Sequence, residues 1–357
     1  MELKTMDKSK YKVYVGMSGG VDSSLTASLL KEEGYDVTGV YMKNWTRDLP
    51  GMKCPWAEDL ADAKRVAVQL GIDFKVFDFE KDYREKVVQY MLDEYEAGRT
   101  PNPDIMCNQE VKFKLFLEAA LEDGADYIAT GHYAGTKDGE LLRAKDDNKD
   151  QTYFLYRVTG KALQKTLLPL GKYTKPEVRE MAKERGLFTA SKKDSQGICF
   201  VGKIGIRDFL KQFLPPQKAG KIVRKETGEV LGWHDGAIFY TLGQRHGLNI
   251  GGGLPFYVCG KDMAKNEVYV SSDINSGELW AKSIKVSSLH WINRKAMEGE
   301  EIEIRVRHRA PLVKATISFS TNDEALLTLK DEQRAITAGQ SVVFYSDIIC
   351  LGGGIII

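Results

Sequence analysis

The chain is poor in cysteine and proline and has no long apolar run. Its 357 residues include 5 Cys and 10 Pro. Cys54, Cys107, Cys199, Cys259 and Cys350 are odd in number and scattered, with no Cys-x-x-Cys pair. This argues against a zinc ribbon and a disulfide framework, and no metal-ligand set is expected. Apolar runs fall short of the roughly 18 residues a membrane helix needs, so no span is expected. Met1 to Lys12 lacks the apolar core of a signal peptide. A soluble, reducing, cytoplasmic setting is the expectation, where isolated thiols persist. Neither charge is in excess: Lys+Arg number 51 against 50 Asp+Glu, a formal net charge of +1. That balance excludes a globally basic nucleic-acid coat protein and an acidic disordered chain. It does not exclude local basic faces, because a sum says nothing about distribution.

What is present is enough apolar residue, 43%, for more than one core. At roughly 150 residues per domain, two or three domains are expected. The first third alternates strand and helix patterns. Strands are predicted at Lys12 to Met17, Tyr35 to Met42, Ile72 to Phe79 and Asp126 to Thr130. Helices are predicted at Asp22 to Glu33, Glu58 to Leu70 and around Tyr83, Val87 and Met91. Such alternation argues an α/β fold with a doubly wound parallel sheet, whose ligands bind beyond the carboxyl ends of the strands. Thr174-Lys-Pro-Glu177 reads as a capping box opening another helix. Pro215-Pro216 and Gly220 read as a linker. Short strands and turns follow to about residue 275, then a second β module, read as a barrel. The expected domains are 1–212, 213–277 and 278–357.

The sharpest local signal is Ser18-Gly-Gly-Val-Asp-Ser-Ser24, between a strand and a helix. Gly16, Gly19 and Gly20 let the backbone approach a phosphate. Ser18, Ser23 and Ser24 offer hydroxyls, and the helix start offers free N–H groups and a positive dipole end. No Gly-Lys-Ser/Thr follows, so this is not a Walker loop. A tight, capped turn is the plain alternative.

Among the cysteines, Cys259 and Cys350 sit in apolar strings and read as structural. Cys54 receives no role. Cys107 lies in Thr100-Pro-Asn-Pro-Asp-Ile-Met-Cys-Asn108, before a helix pattern that resumes near Val111. A helix start there would favour a thiolate, and Asp104 is near enough in sequence to shuttle a proton. Cys199 lies in Asp194-Ser-Gln-Gly-Ile-Cys-Phe200, where Lys192 and Lys193 would also favour a thiolate. The residues alone leave open whether either thiol reacts.

The loop string resembles the pyrophosphate loop of the PP-loop ATPases. The whole set of strings resembles the tRNA-specific 2-thiouridylase family. It comprises GMSGGVDSS (16–24), MKNW (42–45), GRTPNPDIMCNQEVKF (98–113), ATGHY (129–133), KDQTYFLY (149–156), DSQGICF (194–200), TLGQRHGL (241–248) and CLGGGII (350–356). Several strings in order are more specific than any one. The resemblance implies a PP-loop ATPase domain, a small β-rich central domain and a C-terminal β-barrel that binds tRNA. It implies that ATP, with its magnesium, adenylates the C2 oxygen of the wobble uridine in tRNAs for Lys, Glu and Gln. Sulfur then arrives from a persulfide on Cys199, supplied by a cysteine desulfurase or sulfur-relay protein. Cys107 is the partner thiol, with a Cys107–Cys199 disulfide as the end state.

By the same resemblance, Gly16, Met17, Ser18, Gly19, Gly20, Val21, Asp22 and Ser23 hold the phosphates. Met42 meets the adenine through its backbone and Gly131 touches the nucleotide. Asn102, Pro103 and Asp104 meet a flipped-out target base, with Asp104 as acid/base. His132, Lys149, Asp150 and Gln151 contact tRNA, as do Arg307, His308 and Gln340. The chain departs from the family where Arg-Tyr-Arg-Gln is usual and Arg307-His-Arg-Ala310 stands. Alternation over Glu301 to Arg309 predicts Ile302, Ile304 and Val306 inward. It sends Arg305, Arg307 and Arg309 outward, able to meet successive phosphates. Lys203 to Lys225, with seven basic residues, is a second candidate RNA face. Two other classes stay open: a PP-loop enzyme with a small-molecule acceptor, and a non-catalytic ATP-sensing RNA binder.

Overall fold

The computed structural model describes residues 7–50, 53–193, 205–251, 253, 255–275 and 277–357. The DSQGICF string and Cys199 lie outside the described residues.

The first module is built on a five-stranded parallel sheet. Its order is Asp73–Asp78, Asp36–Lys43, Lys12–Gly16, Tyr127–Ala129, Thr166–Leu167. The strand order reverses at Lys12–Gly16: the second and third strands lie on one side, the fourth on the other. A crevice opens at that switch point, beyond the carboxyl ends of Lys12–Gly16 and Tyr127–Ala129. The helix Val21–Glu32 buries nine of its twelve residues, from Val21 to Leu30, because it is covered by the helix Lys175–Glu184 as well as the sheet. Trp56–Leu70 ends at Gly71, which adopts φ 60° as a left-handed stop. The capping box at Thr174 forms as predicted, with Glu177 accepting from the Thr174 N–H at 2.6 Å.

One sequence expectation is corrected here. Cys107 does not lie in a loop before a helix at Val111. The helix starts at Pro103, with Asn102 as N-cap, and runs through Pro103–Met106, Cys107–Leu115 and Phe116–Glu122. Pro103 is tolerated because the first turn has no use for its missing N–H. The middle segment is π-helical, as is Arg84–Val88 against it. Such widened turns often mark functional sites.

After the helix Ile206–Phe213, a four-stranded sheet forms the central module, in the order Tyr257–Asp262, Glu267–Ser271, Gly220–Arg224, Val230–His234. The C-terminal strands close an antiparallel six-stranded barrel. Its order is Trp280–Trp291, Ala325–Arg334, Val313–Phe319, Glu301–Arg305, Ser341–Ser346, Ile349–Ile356, and the last strand pairs back with the first. Closure removes the exposed edges that an open sheet would present.

The barrel is not a separate bead. A hairpin of the first module, Gly135–Lys137 and Glu140–Leu142, pairs with the barrel strand Ile349–Ile356. Tyr345, Val343 and Cys350 belong to the same apolar core as Tyr153, Tyr156 and Leu155. Tyr153 donates to the Ser341 carbonyl at 2.9 Å, and Arg157 donates to the Ser288 carbonyl at 3.1 Å. Cys259 and Cys350 are buried, as their apolar strings predicted.

Candidate functional site

The loop after the first strand is shaped for an anion. Gly19 sits at φ +71°, and a Cβ there would lie 2.5 Å from the Asp59 carbonyl oxygen. Only glycine allows this approach of loop to helix. Gly20 is the N-cap and provides no side chain, so the first N–H groups of Val21–Glu32 face the crevice without a side-chain cap. Ser18 is exposed, and its N–H donates to Ser23 Oγ at 3.2 Å. Ser24 departs from expectation. It is fully buried and its hydroxyl donates to the Gly20 carbonyl at 2.8 Å, bracing the helix start rather than facing a ligand.

Gly131, at the end of the fourth strand, lies against this loop. A Cβ on it would come 2.8 Å from Asp22 C and 2.9 Å from Ser23 N. Both are backbone atoms that cannot turn away. Gly131→Ala is therefore expected to displace the loop and weaken ATP binding by about 10- to 100-fold, as ångström-scale misplacements do. Equilibrium binding of ATP checks this.

Two neighbours of the loop escaped the sequence reading. Lys175 Nζ donates to both Asp22 oxygens, at 2.7 and 2.8 Å, and Tyr133 donates to Oδ1 at 2.8 Å. A loop without a lysine of its own thus has one brought beside it from 153 residues downstream. Lys175 was visible only as part of the capping string, which gives its helix position but not what that helix packs against.

Beside the loop lies a cleft of about 180 Å³, lined by Met17, Ser18, Tyr41, Met42, Asn44, Trp45 and Lys112, with Cys54, Trp56, Asp59 and Tyr83. Its walls are largely aromatic and apolar, with few polar groups, as nucleobase sites are. Met42 stands at the end of the second strand, as expected. Burial pushes the Cys54 thiol up, which disfavours a thiolate there.

Asp104 lies in the first turn of its helix, and its N–H donates to the N-cap oxygen of Asn102 at 3.2 Å. Burial raises its carboxyl above the usual carboxylate range, and the Lys112 ammonium partly offsets this. A carboxyl raised by burial holds its proton more readily than an exposed one, which suits it to proton transfer. Cys107, one turn on, is 5% exposed and packs in the first module's core.

His132 sits deep beside the loop. It is 9% exposed, its Nδ1 lies 2.7 Å from Thr130 Oγ1, and its ring leans on Phe113. Burial and the nearby Lys112 push its pKa well below the ordinary value.

The expected RNA face divides. Asp150 is 0% exposed, and its Oδ2 pairs with Arg305 at 2.9 Å. Arg305, sent outward by alternation, is itself 4% exposed. Periodicity correctly put it outside the barrel, but the first module covers that outside face. Arg307 is exposed, though its guanidinium also donates to the Ala335 carbonyl. His308 rests on Phe154, 4.5 Å between ring centroids, and pairs with the Asp150 carbonyl at 3.2 Å. Gln340 Nε2 donates to the Thr100 carbonyl at 2.7 Å, and Gln151 accepts from the Tyr133 N–H at 2.8 Å. Lys149 is half-buried beside them. The strand itself ends at Arg305, so Arg307 and Arg309 sit in the following turn.

The basic run before the central module is also partly committed. Arg207 and Lys211 both pair with Asp235, and Arg224 lies 3.6 Å from Glu229. Lys192, expected to favour a thiolate at Cys199, pairs instead with Asp59 and Asp62 at 3.0 and 2.7 Å. Among the described residues no cluster of metal-ligating side chains occurs, and no helix is long and apolar enough to cross a membrane.

Three family models match in succession. They are described as a tRNA methyl transferase HUP domain (residues 11–203), a tRNA methyl transferase PRC-barrel domain (207–272) and an aminomethyltransferase β-barrel domain (281–356). The tRNA-specific 2-thiouridylase MnmA of Bacillus licheniformis is 50% identical over 353 residues, covering 97% of this chain and 94% of that protein. That of Bacillus subtilis is 49% identical over 352 residues, with the same coverage. Among solved structures, a 4-thiouridine synthetase–RNA complex with bound ATP is 21% identical, with a TM-score of 0.38, covering 57% of this chain and 50% of that one. That last likeness is too slight to carry an argument. Identity near one half along almost the whole chain does carry one: the chain belongs to the tRNA-specific 2-thiouridylase family.

Proposed function

We propose that the protein uses ATP to thiolate C2 of the wobble uridine of tRNA, releasing AMP and pyrophosphate. The observation that carries this is an anion-shaped loop beside an aromatic cleft, one of whose lining residues, Lys112, also acts on the raised carboxyl of Asp104, one helical turn from a thiol. Methyl transfer, named in two of the matching descriptions, would have no use for a phosphate cradle.

ATP, with its magnesium, lies with its phosphates on Gly16 to Ser23 and its base in the cleft beside Met42. The free N–H groups of the helix start and the Lys175–Asp22 pair hold the phosphates in place. Attack of the uridine C2 oxygen on the α-phosphate breaks the α–β bond and expels pyrophosphate. The adenylated carbon then has AMP as a leaving group, where before it had none. Asn102, Pro103 and Asp104 border the target base, and Asp104 moves the proton. Cys199 carries a persulfide from a cysteine desulfurase or relay protein. Its terminal sulfur reaches C2 either directly or as sulfide released by Cys107, AMP leaves, and a Cys107–Cys199 disulfide remains for a reductant to open. Arg307, Lys149 and the basic residues around Lys218 to Lys225 offer phosphate contacts to the anticodon stem-loop.

The test is one incubation of protein with ATP, undermodified tRNA and a persulfide donor. AMP, pyrophosphate and thiolated tRNA are expected in equal amounts. AMP formed without tRNA points to a small-molecule acceptor, and no AMP at all points to a non-catalytic RNA binder. Either result defeats the proposal.

A further inference from the structure

Thr100 is 9% exposed and stands just before Pro101 and Asn102, the N-cap of the helix that carries Asp104 and Cys107. Its backbone and its side chain are both held by the other two modules. Its N–H donates to the barrel's Ala338 carbonyl at 3.0 Å, and its carbonyl accepts from Gln340 Nε2 at 2.7 Å. Its hydroxyl lies 3.1 Å from the hydroxyl of Thr241 in the central module, 141 residues away in sequence. The surroundings leave little slack. A Cβ on Gly339 of the barrel would come 2.8 Å from Thr100 N, and one on Gly98 would come 2.7 Å from Cγ of the central module's Met263. The three modules therefore meet on the residues that lead into Asn102, Pro103 and Asp104.

Thr241 opens the TLGQRHGL string, and that string folds so as to hold it. The Thr241 N–H donates to Gln244 Oε1 at 3.0 Å, while Gln244 Nε2 donates to the His246 carbonyl at 2.8 Å. The Gly243 N–H donates to the Val258 carbonyl at 2.8 Å, which fixes the turn to its own sheet. The link onward from Thr100 is stiff as well. Pro101 and Pro103 each fix φ near about −65°. Each also biases the residue before it to extended backbone, and Asn102 adopts it, at φ −116° and ψ 95°. A shift at Thr100 is carried to Asn102, Pro103 and Asp104 rather than absorbed on the way.

We propose that Thr100 is a positioning residue, whose hydroxyl, pinned by Thr241 of the central module, aligns Asn102, Pro103 and Asp104 for the chemical step. This rests on the reading of those three residues as neighbours of the target base. Thr100 itself touches no substrate in that reading.

The experiment is single-turnover thiolation by the full, persulfide-loaded chain, over a range of tRNA concentrations at saturating ATP. Thr100→Val keeps the branched shape and loses the hydroxyl. Its limiting rate is expected to fall about 10- to 100-fold, as small misplacements of reacting groups cause. The tRNA concentration at half-maximal rate should stay within about twofold, because phosphate contacts elsewhere supply most of the affinity. Thr100→Ser keeps the hydroxyl and should keep the rate, which separates the hydrogen bond from packing and from a general loss of fold. Thr241→Val should match Thr100→Val, and the two combined should be no slower than either, since both remove the same bond. An unchanged limiting rate in Thr100→Val, a Thr100→Ser as slow as Thr100→Val, or a change confined to the half-saturating tRNA concentration overturns this inference. Asp104→Asn, run beside them, tests the reading beneath it. A full rate there overturns that reading and the inference with it, whereas a slow Asp104→Asn beside a normal Thr100→Val overturns the inference alone.

Discussion

Cys107→Ser is expected to lower thiolation by at least about 10³-fold while pyrophosphate is still released as the tRNA is adenylated, because the exchange removes a reacting sulfur and leaves the phosphate loop intact. The geometry separates the two functions. The loop and cleft are built from Gly16 to Ser23, Met42 and Gly131, whereas Cys107 lies on the helix that begins at Pro103. Serine is close to cysteine in volume, and the position is 5% exposed, so the helix should survive. Cys199→Ser should be as inactive in turnover and should also fail to hold a persulfide, read directly by mass spectrometry. The two variants differ in one informative way. If the persulfide sulfur attacks C2 itself, Cys107→Ser preloaded with persulfide traps tRNA as a C2–S–S–Cys199 adduct, up to one per chain, which an added thiol opens to give thiolated tRNA. If sulfide must first be released by Cys107, no adduct forms. Full multiple turnover by either variant defeats the role of that thiol.

Asp150→Ala is expected to destabilise the chain by about 3–5 kcal/mol, the usual loss when one partner of a buried ion pair is removed. The Asp150 carboxylate also accepts from the Thr152 N–H at 3.2 Å and from the Thr152 hydroxyl at 2.9 Å. It is therefore held from its own module on one side and by the barrel's Arg305 on the other. Without it the Arg305 guanidinium would be buried with no countercharge, against the Tyr345 ring. A fall in melting temperature on the order of 10 °C should follow. Asp150→Ala combined with Arg305→Met should recover part of the loss, because removing both charges relieves the desolvation that removing one leaves behind. A surface RNA contact behaves in the opposite way. It would leave the melting temperature unchanged and weaken tRNA binding in a salt-dependent manner. That second pattern would support the tRNA contact expected from the KDQTYFLY string.

The outcome at Asp150 shows where sequence reasoning stopped. Alternation along Glu301 to Arg305 identified the inward residues correctly: Ile302 and Ile304 are buried in the barrel core. It also placed Arg305 on the opposite face. What it had no means to supply is that the opposite face meets the first module rather than water. The same holds for Gln340, whose amide ties the barrel to the Thr100 carbonyl. It holds for His308, which fills a place against Phe154. A family pattern of arginine, histidine and glutamine reads as an RNA face when those residues are imagined on a free barrel. In the folded chain His308 and Gln340 also join the barrel to the first module, which no single string records.

The phosphate loop was legible because its physics is local. Nine consecutive residues set the glycine conformations, the bare N-cap and the exposed N–H groups, and these need no distant partner to be recognised. The strand-and-helix alternation was legible for the same reason, since burial of one face leaves a period of two or of 3.6 in the residues themselves. The position of Cys107 was misjudged by one turn of helix because two prolines looked like a loop, whereas one of them occupies the first helical turn.

By itself, then, the sequence determined the parallel α/β architecture, the anion loop, the two thiols of interest and the family. Only the tertiary structure decided that Lys175 stands at the loop's Asp22 and that Asp150 and Arg305 are locked together out of reach of solvent. The physical reason is common to both. Periodicity and motif record what a segment does to its own neighbours, but burial and pairing depend on which other segment arrives to cover it. These partners arrive from 153 and 155 residues away.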